Sequence, residues 1–354
     1  MATSFKELET GRDSVVTRNL LHESIPITGS ILSGTYSDNN IKNFSHGMFQ
    51  SIYDYPFLSS SANHILDLTV GYSSESALSS TTATQNAKKI NVYNELAQVL
   101  VGFDENGLVR RFDKDGDLSS GDKLNETYFF NFTRLLTKDE VKKGSFSLSL
   151  GVTEAHNNAY VSTLSITDKS GSSGYKVNSP AGEYGILYAT GSALASGVID
   201  GEGYVEAGLI YYQAGIAVLT ASVFGGLLTS PVSMSAGAAT VGPATSLQST
   251  SISGNCDNIR HRVQSVSFNN TTELNSTVYF CRVNNSDFNY SANPTYLSSS
   301  KMVVKNNSND ESVSYVTSVG LYSPDNELLA VAKLSEPLKK DPSTEFTLRV
   351  RLDY

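Results

Sequence analysis

The stretch Phe346–Asp353, FTLRVRLD, alternates apolar and polar side chains with a period of two. Its apolar positions are Phe346, Leu348, Val350 and Leu352. Because successive side chains of a β-strand point to opposite faces of a sheet, this alternation predicts a strand that buries one face. The pattern runs to the end of the sequence, so we expect an ordered C-terminus that lies within a sheet.

The residues that precede this stretch show the same β character. Strands are predicted at 278–283, 315–322 and 327–334. Between the last two, the segment Ser323-Pro324-Asp325-Asn326 places proline at the second position of a type I turn. We therefore predict a C-terminal antiparallel β domain over residues 256–354.

A central β-rich domain with one helix is predicted over residues 86–224. In the segment 145–150, apolar residues alternate with serine, as expected of a strand with one polar face. The best helix of the chain has apolar residues at positions 90, 93, 97, 100 and 101. This spacing is typical of an amphipathic helix, and Gly102 is placed to cap its C-terminus.

Two segments are predicted to be arms rather than parts of a folded domain. Residues 1–85 are assigned to an N-terminal arm and docking segment, and the Gly/Ser/Ala-rich residues 225–255 to a flexible linker or arm. The first arm contains aromatic residues that we interpret as interface anchors: Phe49, Tyr53, Tyr55 and Phe57. The alternative is that these rings pack in the protein's own core.

Composition supports a mainly β fold and argues against two classes of function. Charged residues make up 17% of the 354 residues, against about 25% in an average domain, which disfavours a helical bundle or coiled coil. The net charge of −9 disfavours nucleic-acid binding, which requires a basic surface. The predicted fold class is mainly β, with antiparallel sheet or sandwich domains, one short amphipathic helix and extended arms.

A stretch without charged residues, 207–256, raises the question of a membrane span. Residues 208–230 are apolar enough and long enough to be considered. No Lys/Arg cluster flanks them, and two strands at 204–211 and 216–219 around a turn at 213–215 explain the same residues. We therefore expect no membrane span. The alternative, a membrane-active injection protein, would need this segment to enter a bilayer.

The sequence contains no recognisable catalytic motif. Its five histidines lie outside any known pattern, and the nucleophile-elbow, P-loop, dinucleotide and zinc-protease motifs are absent. No catalytic, cofactor-binding or metal-binding residue is nominated, and the chain is expected not to be an enzyme. Cys256 and Cys281 are too few for a disulfide framework, so a buried free thiol is expected for Cys281.

One acidic segment, Asp113-Lys114-Asp115-Gly116-Asp117, invites comparison with calcium-binding loops. Its spacing does not match the EF-hand loop, and no bidentate glutamate follows at the required position. A solvated Asp-Gly hairpin turn is the interpretation that we favour from the sequence.

Three pairs of segments resemble virion structural proteins of large tailed bacteriophages, in particular those that infect marine cyanobacteria. The first pair, YVTSVGLY at 315–322 and NELLAVAKL at 326–334, resembles a strand–turn–strand unit of tail and collar proteins, and residues 348–354 belong with it. The second pair is YFCR at 279–282 and DFNYSANPTY at 287–296. The third is the whole stretch from TRNLLH at 17–22 to DYP at 54–56, which resembles the opening of the same proteins.

The resemblance implies a non-enzymatic structural subunit of a virion, in the tail or baseplate, that is assembled in the host cytoplasm. Its partners would be other virion proteins, including repeated copies of itself. A neck or capsid-associated decoration protein is the alternative within the particle. A receptor-binding or glycan-binding adhesin is the alternative from another class, with Phe288 and Tyr290 of the loop 287–296 as candidate contact residues.

Overall fold

The computed structural model describes residues 5–23, 38–118, 121–136, 139–152, 160–230, 232–234, 241–290, 297–298, 301–302, 309 and 312–353. The chain divides into two compact units. Unit 1 combines Met1–Leu21 with Glu273–Tyr354, and unit 2 is His22–Thr272. This grouping differs from the four predicted segments, because the two ends of the chain share one unit and everything between them forms the other.

The secondary structure confirms a mainly β protein with antiparallel sheets. In chain order the strands are β1 (Ser14–Glu23), β2 (Ile41–Asn43), β3 (Gln50–Tyr53), β4 (His64–Tyr72), β5 (Glu126–Asn131), β6 (Glu140–Val141), β7 (Ser147–Gly151), β8 (Thr163–Thr167), β9 (Lys176–Ser179), β10 (Gly182–Thr190), β11 (Val205–Tyr211), β12 (Ile216–Thr220), β13 (Val263–Ser267), β14 (Asn270–Val283), β15 (Leu297–Ser298), β16 (Lys301–Met302), β17 (Ser314–Tyr322), β18 (Leu328–Lys340) and β19 (Phe346–Asp353). The α-helices are α1 (Asn86–Leu100), α2 (Gly171–Gly174), α3 (Pro243–Ser249) and α4 (Ile252–Arg260). Short 3-10 helices occur at Asp38–Asn40, Thr133–Leu135 and Ala221–Phe224.

Unit 2 is built on one large antiparallel sheet. Its strand order is β13-β7-β8-β10-β11-β12-β5-β4-β3-β2, with β9 beside β10. Two meanders, β7 to β12 and β2 to β5, meet where β12 pairs with β5, and Val218 lies opposite Phe129 at this junction. The junction gives the two meanders a common core.

Burial along the strands explains the stretch without charged residues. In β7, Leu148 and Leu150 are buried while the serines between them are half-buried, as the alternating sequence predicts. In β12, by contrast, the four consecutive residues 216–219 are all buried. A strand covered on both faces has no solvated position for a charge.

No helix in the described part of the chain is both long and apolar enough to cross a bilayer.

Helix α1 lies against β4 and confirms the predicted amphipathic helix. Val92, Tyr93, Ala97 and Leu100 are buried on its inner face. The approach to the strand is close at Gly71, where an added Cβ would lie 2.7 Å from the carbonyl oxygen of Lys89. Only glycine fits at this point of the strand.

The prediction of an N-terminal arm over residues 1–85 is wrong for most of the described residues. Strands β2, β3 and β4 belong to the main sheet of unit 2, and β4 lies between two other strands. Leu66, Leu68 and Val70 on β4 are fully buried. The sequence from 64 to 72 alternates only in part, because this strand too is covered on its outer face.

The flexible linker predicted at 225–255 is also wrong for the described residues. Six of its large apolar side chains are buried: Leu227, Leu228, Val232, Met234, Leu247 and Ile252. The buried ammonium of Lys89 donates to the carbonyl oxygens of Leu247, at 2.5 Å, and Thr250, at 2.8 Å. Burial lowers the pKa of Lys89 to about 8. Residues 231 and 235–240 lie outside the described part.

Unit 1 contains the C-terminal strand β19, which the alternating sequence at 346–353 predicts. Strand β19 pairs with β14, and Val350 lies opposite Tyr279. Val350 is buried and its neighbours Arg349 and Arg351 are exposed, so the alternation is confirmed. Strand β1 lies on the other side of β14. The predicted C-terminal domain began at 256, whereas α4, β13 and the first residues of β14 belong to unit 2.

The two cysteines, both in the described part of the chain, form no disulfide. Cys256 is fully buried, and its thiol lies 3.3 Å from the carbonyl oxygen of Leu68. Cys281 is a free thiol as expected, but it is half-buried rather than buried.

A substitution of Gly71 tests the close approach of α1 to β4. We expect Gly71→Ala to lower the free energy of unfolding by about 1–3 kcal/mol, because the new Cβ meets helix backbone that cannot rotate away. In the matched control, Gly201→Ala, the added Cβ has no neighbour within 4 Å, and the change should stay within about 0.5 kcal/mol. Equal effects in urea denaturation would contradict the packing.

A buried carboxylate, Asp168, gives unit 2 a specific pH dependence. Burial raises the pKa of Asp168 to about 6, although hydrogen bonds from the backbone N–H groups of Gly144 and Phe146 oppose this shift. The folded state therefore binds the proton more tightly than the unfolded state, whose aspartate has a pKa of about 3.9. The stability from this proton is present below about pH 4 and is lost as the pH rises through about 6.

We expect the unfolding free energy of the wild type to fall, relative to Asp168→Asn, by on the order of 2 kcal/mol between pH 4 and 7. The measurement is urea denaturation of both proteins across that range. A difference between them that does not change with pH would show that Asp168 titrates normally in the folded protein.

Candidate functional site

Strands β17 and β18 form a two-stranded antiparallel ribbon at which unit 1 exposes apolar side chains. Neither strand pairs with a third strand among the described residues. The predicted turn is present at its tip, where the N–H of Asn326 donates to the carbonyl oxygen of Ser323 at 3.0 Å. A two-stranded ribbon of this kind is at best marginally stable in water by itself.

The ribbon is irregular near its base. Val316 lies opposite Leu338, but Ser318 lies opposite Lys333, so β18 has extra residues at 334–337. Pro337 falls within this bulge, where its missing N–H breaks no ladder hydrogen bond. The bulge therefore separates an anchored base from the longer outer part.

Polar contacts within unit 1 hold the base of the ribbon. The buried ammonium of Lys340 donates to the carbonyl oxygens of Asn285, at 3.1 Å, and Asp341, at 2.7 Å. It also donates to Oδ1 of Asn289 at 2.5 Å. The hydroxyl of Ser314 donates to the carbonyl oxygen of Phe288. These bonds tie both strands to the loop after β14.

One face of the outer part of the ribbon is apolar and exposed. Leu329 is 67% exposed and Val331 is 54% exposed. The ring of Tyr322 lies over Gly320, where an added Cβ would be 2.9 Å from its Cε2 atom. Phe5, which is also exposed, makes an edge contact with this ring at 5.4 Å between centroids.

We define the ribbon surface as the exposed large apolar side chains of β17 and β18. They are Tyr315, Tyr322, Leu328, Leu329, Val331 and Leu338. They lie on both faces of the ribbon, and exposed large apolar side chains concentrated on one element are typical of a protein–protein contact.

Unit 1 exposes more large apolar side chains than it buries. Among the described residues, its buried apolar side chains are Val278, Val283 and Val350. Its exposed large ones are Phe5, Val15, Val16, Tyr290 and the six residues of the ribbon surface. Among the described residues of unit 2, buried apolar side chains outnumber the exposed large ones, and they form one contiguous core. The described residues of unit 1 therefore bury less apolar surface than a domain of its size normally does.

The four aromatic residues predicted as anchors do not form one surface. Phe49 is half-buried and packs on Phe44, with 4.6 Å between ring centroids. Tyr53 and Phe57 form a second half-buried pair, at 6.3 Å. Only Tyr55 is well exposed. None of the four lies in the buried core, and Tyr55 keeps a position that a partner can reach.

The residues predicted for the loop 287–296 lie near the base of the ribbon. Phe288 is half-buried, with a φ of 51°, and Tyr290 is 37% exposed. The carboxylate of Asp287 accepts from the Lys6 ammonium at 2.6 Å. Residues 291–296 lie outside the described part, so the loop as a candidate glycan or receptor contact stays a prediction.

A serine, a histidine and an aspartate meet in unit 2, although the sequence suggested no such group. The Ser51 hydroxyl donates to Oδ1 of Asp67 at 2.5 Å, and Nε2 of His64 lies 2.7 Å from the same oxygen. In a catalytic triad the histidine stands between the serine and the acid. Here the aspartate stands between the other two, so the arrangement does not activate Ser51 through His64.

Comparison with known proteins gives no relative on which a function can rest. No protein-family model, no curated protein and no solved structure matches the chain. The ribbon surface is therefore the feature of the described residues that bears on function.

The sequence predicts the two strands of the ribbon, but none of the predicted contact residues lies on them. The signal that was available is the pair Leu328–Leu329, because adjacent leucines on a strand point to opposite faces. A strand with only one covered face leaves one of them in water.

Serine substitutions test whether the isolated chain uses the ribbon surface for its own stability. We expect the double variant Leu329→Ser, Val331→Ser to change the free energy of unfolding by less than about 0.5 kcal/mol, because both side chains are already exposed. Val350→Ala, in the buried part of the same unit, should cost about 1–3 kcal/mol. Comparable losses in urea denaturation would mean that the ribbon surface packs within the chain.

Proposed function

We propose that the chain is a non-enzymatic structural subunit of a tailed-phage virion, in the tail or baseplate. It associates with other virion proteins, including further copies of itself, through the ribbon surface. The observation that carries this proposal is the excess of exposed over buried large apolar side chains among the described residues of unit 1. The resemblance supports it independently, since the segments 315–322 and 326–334 form the two strands of the ribbon and its turn.

The energetics favour an assembly with many contacts over a tight pair. Full burial of one leucine or valine side chain contributes about 1.5–3 kcal/mol, and the residues of the ribbon surface are already partly covered. The six together would contribute on the order of 5–10 kcal/mol. Association costs about 4–15 kcal/mol in lost freedom of motion. One such contact alone is weak, but contacts repeated within a particle reinforce one another.

The two units divide the mechanical work in this proposal. Unit 2 supplies a rigid sheet with a closed core, and unit 1 supplies the surface that a neighbour covers. The polar contacts around Lys340 fix the base of the ribbon to the rest of unit 1. A neighbour can then add its side chains to the face that carries Leu329 and Val331.

Particle incorporation tests the proposal. A phage that lacks its own copy of this gene is grown on cells that supply either the wild type or the variant Leu329→Ser, Val331→Ser. We expect at least a tenfold loss of particles that contain the variant, because the contact loses its apolar centre. The control variant is Leu108→Ser, Val177→Ser, which changes equally exposed residues of unit 2.

Normal incorporation of the ribbon variant, or an equal loss for the control, would contradict the ribbon surface as the contact. Electron cryo-microscopy of intact particles tests the position separately. Density for this chain at the tail end is the expected result. Density at the neck or capsid would support the decoration protein instead, and absence from the particle would contradict the structural role.

A further inference from the structure

An acidic loop of unit 2 departs from the solvated turn that the sequence favoured. Asp113 forms an isolated bridge with Lys123, and the N–H of Lys114 donates to the carbonyl oxygen of Asp122 at 3.1 Å. Residues 113 and 114 thus pair with residues 123 and 122, as expected of the two sides of a hairpin. Asp115 and Asp117 are exposed, but Asp113 is completely buried.

One carboxylate oxygen of Asp113 is buried and has no hydrogen-bond donor among the residues that the structure describes. Oδ2 accepts from the ammonium of Lys123 at 2.6 Å, whereas Oδ1 accepts from none of the described residues. Moving a charged oxygen out of water without giving it a hydrogen-bond partner carries a large free-energy penalty.

The three aspartates offer oxygens at distances that suit a single cation. One carboxylate oxygen from each of Asp113, Asp115 and Asp117 lies within 4.8 Å of the others. Calcium binds oxygen at about 2.3–2.6 Å, so ligands on opposite sides of the ion lie about 5 Å apart. The three residues share the spacing of positions 1, 3 and 5 of an EF-hand loop, although Leu118 stands where that loop has its glycine.

Hydrogen bonds from Tyr184 and Asn178 hold the backbone of the loop at Gly116. The carbonyl oxygen of Gly116 accepts from the hydroxyl of Tyr184 at 3.1 Å and from Nδ2 of Asn178 at 3.0 Å. Gly116 has a φ of +72°, and an added Cβ would lie 3.1 Å from the Tyr184 hydroxyl. These constraints fix the backbone between Asp115 and Asp117 before any ligand arrives.

Charge favours a divalent ion at this position. Three carboxylates lie together here, and the ammonium of Lys123 pairs with the carboxylate of Asp113. Lys114 lies 3.8 Å from the carboxylate of Glu206, and the side chain of Lys176 passes beside Gly116. A doubly charged cation would interact favourably with the three carboxylates and supply a partner for Oδ1 of Asp113.

We propose that Asp113, Asp115 and Asp117 bind a divalent cation, and that Ca²⁺ is preferred over Mg²⁺. Magnesium requires near-ideal octahedral geometry, whereas calcium tolerates irregular sets of carboxylate and water ligands. Leu124 stands where an EF-hand has its bidentate glutamate, so water completes the coordination and the affinity is modest. This site does not depend on the proposed role in a virion.

Calorimetric titration of the full chain with CaCl₂ tests the site. We expect one Ca²⁺ per chain, with a dissociation constant of about 10⁻⁵ to 10⁻³ M, and at least tenfold weaker binding of MgCl₂. The double variant Asp115→Asn, Asp117→Asn should bind Ca²⁺ at least tenfold more weakly. Both residues are exposed, so the variant keeps the fold.

The matched control is Glu95→Gln, Glu105→Gln, which removes the same charge from exposed positions outside the loop. It should bind Ca²⁺ as the wild type does. Added Ca²⁺ should also raise the thermal unfolding midpoint of the wild type and of the control but not that of the aspartate variant. The proposal is overturned if the wild type shows neither heat nor a thermal shift up to about 10 mM Ca²⁺, a concentration above the weakest such sites. It is equally overturned if the aspartate variant binds as well as the control.

Terbium luminescence locates the ion independently of stability. The chain has no tryptophan, and the Tyr184 hydroxyl bonds directly to the loop at Gly116. We expect tyrosine excitation to produce terbium emission that excess Ca²⁺ removes and that the aspartate variant lacks. Emission of equal strength from that variant would place the ion elsewhere and contradict the assignment.

Discussion

Apolar burial is distributed unequally between the two units, and most of the account depends on this inequality. Unit 2 joins two meanders at the β12–β5 pairing, and its core side chains form one contiguous cluster. Unit 1 has a three-stranded sheet and an exposed ribbon, with three valines buried among its described residues. Since burial of apolar surface is the main favourable contribution to folding, a unit built in this way gains stability when a partner covers it.

The polar contacts of the molecule supplement this division. In unit 2, Lys89 satisfies backbone carbonyls at the end of α3, and Asp168 accepts from backbone N–H groups of a neighbouring loop. In unit 1, Lys340 does the same at the base of the ribbon. Each buried charge thus fixes a segment that apolar packing alone would leave undefined. Asp113 differs from these three, because one of its buried oxygens has no donor among the described residues, and for its loop we propose a role in ligand binding.

Strand positions were predictable from the sequence where one face of the strand meets water. Strand β7, with serine between its leucines, and β19, with its arginines, are examples. Strand β4 and the residues after Phe224 were assigned to arms, because strands covered on both faces lose alternation and small apolar residues resemble a linker. The candidate sites were harder to predict. Exposure of Leu329 and burial of Asp113 both depend on tertiary neighbours, about which local sequence carries no information.

Hydrogen–deuterium exchange tests the central claim most directly, by comparing the ribbon in the isolated chain with the ribbon in purified particles. The account predicts fast exchange of β17 and β18 amides in the isolated chain, because a two-stranded ribbon opens easily. In particles the same amides should become protected, while those of β5 and β12 are protected in both states. Ribbon amides that exchange equally fast in particles, or that are already protected in the isolated chain, would contradict the claim that a neighbour covers this surface.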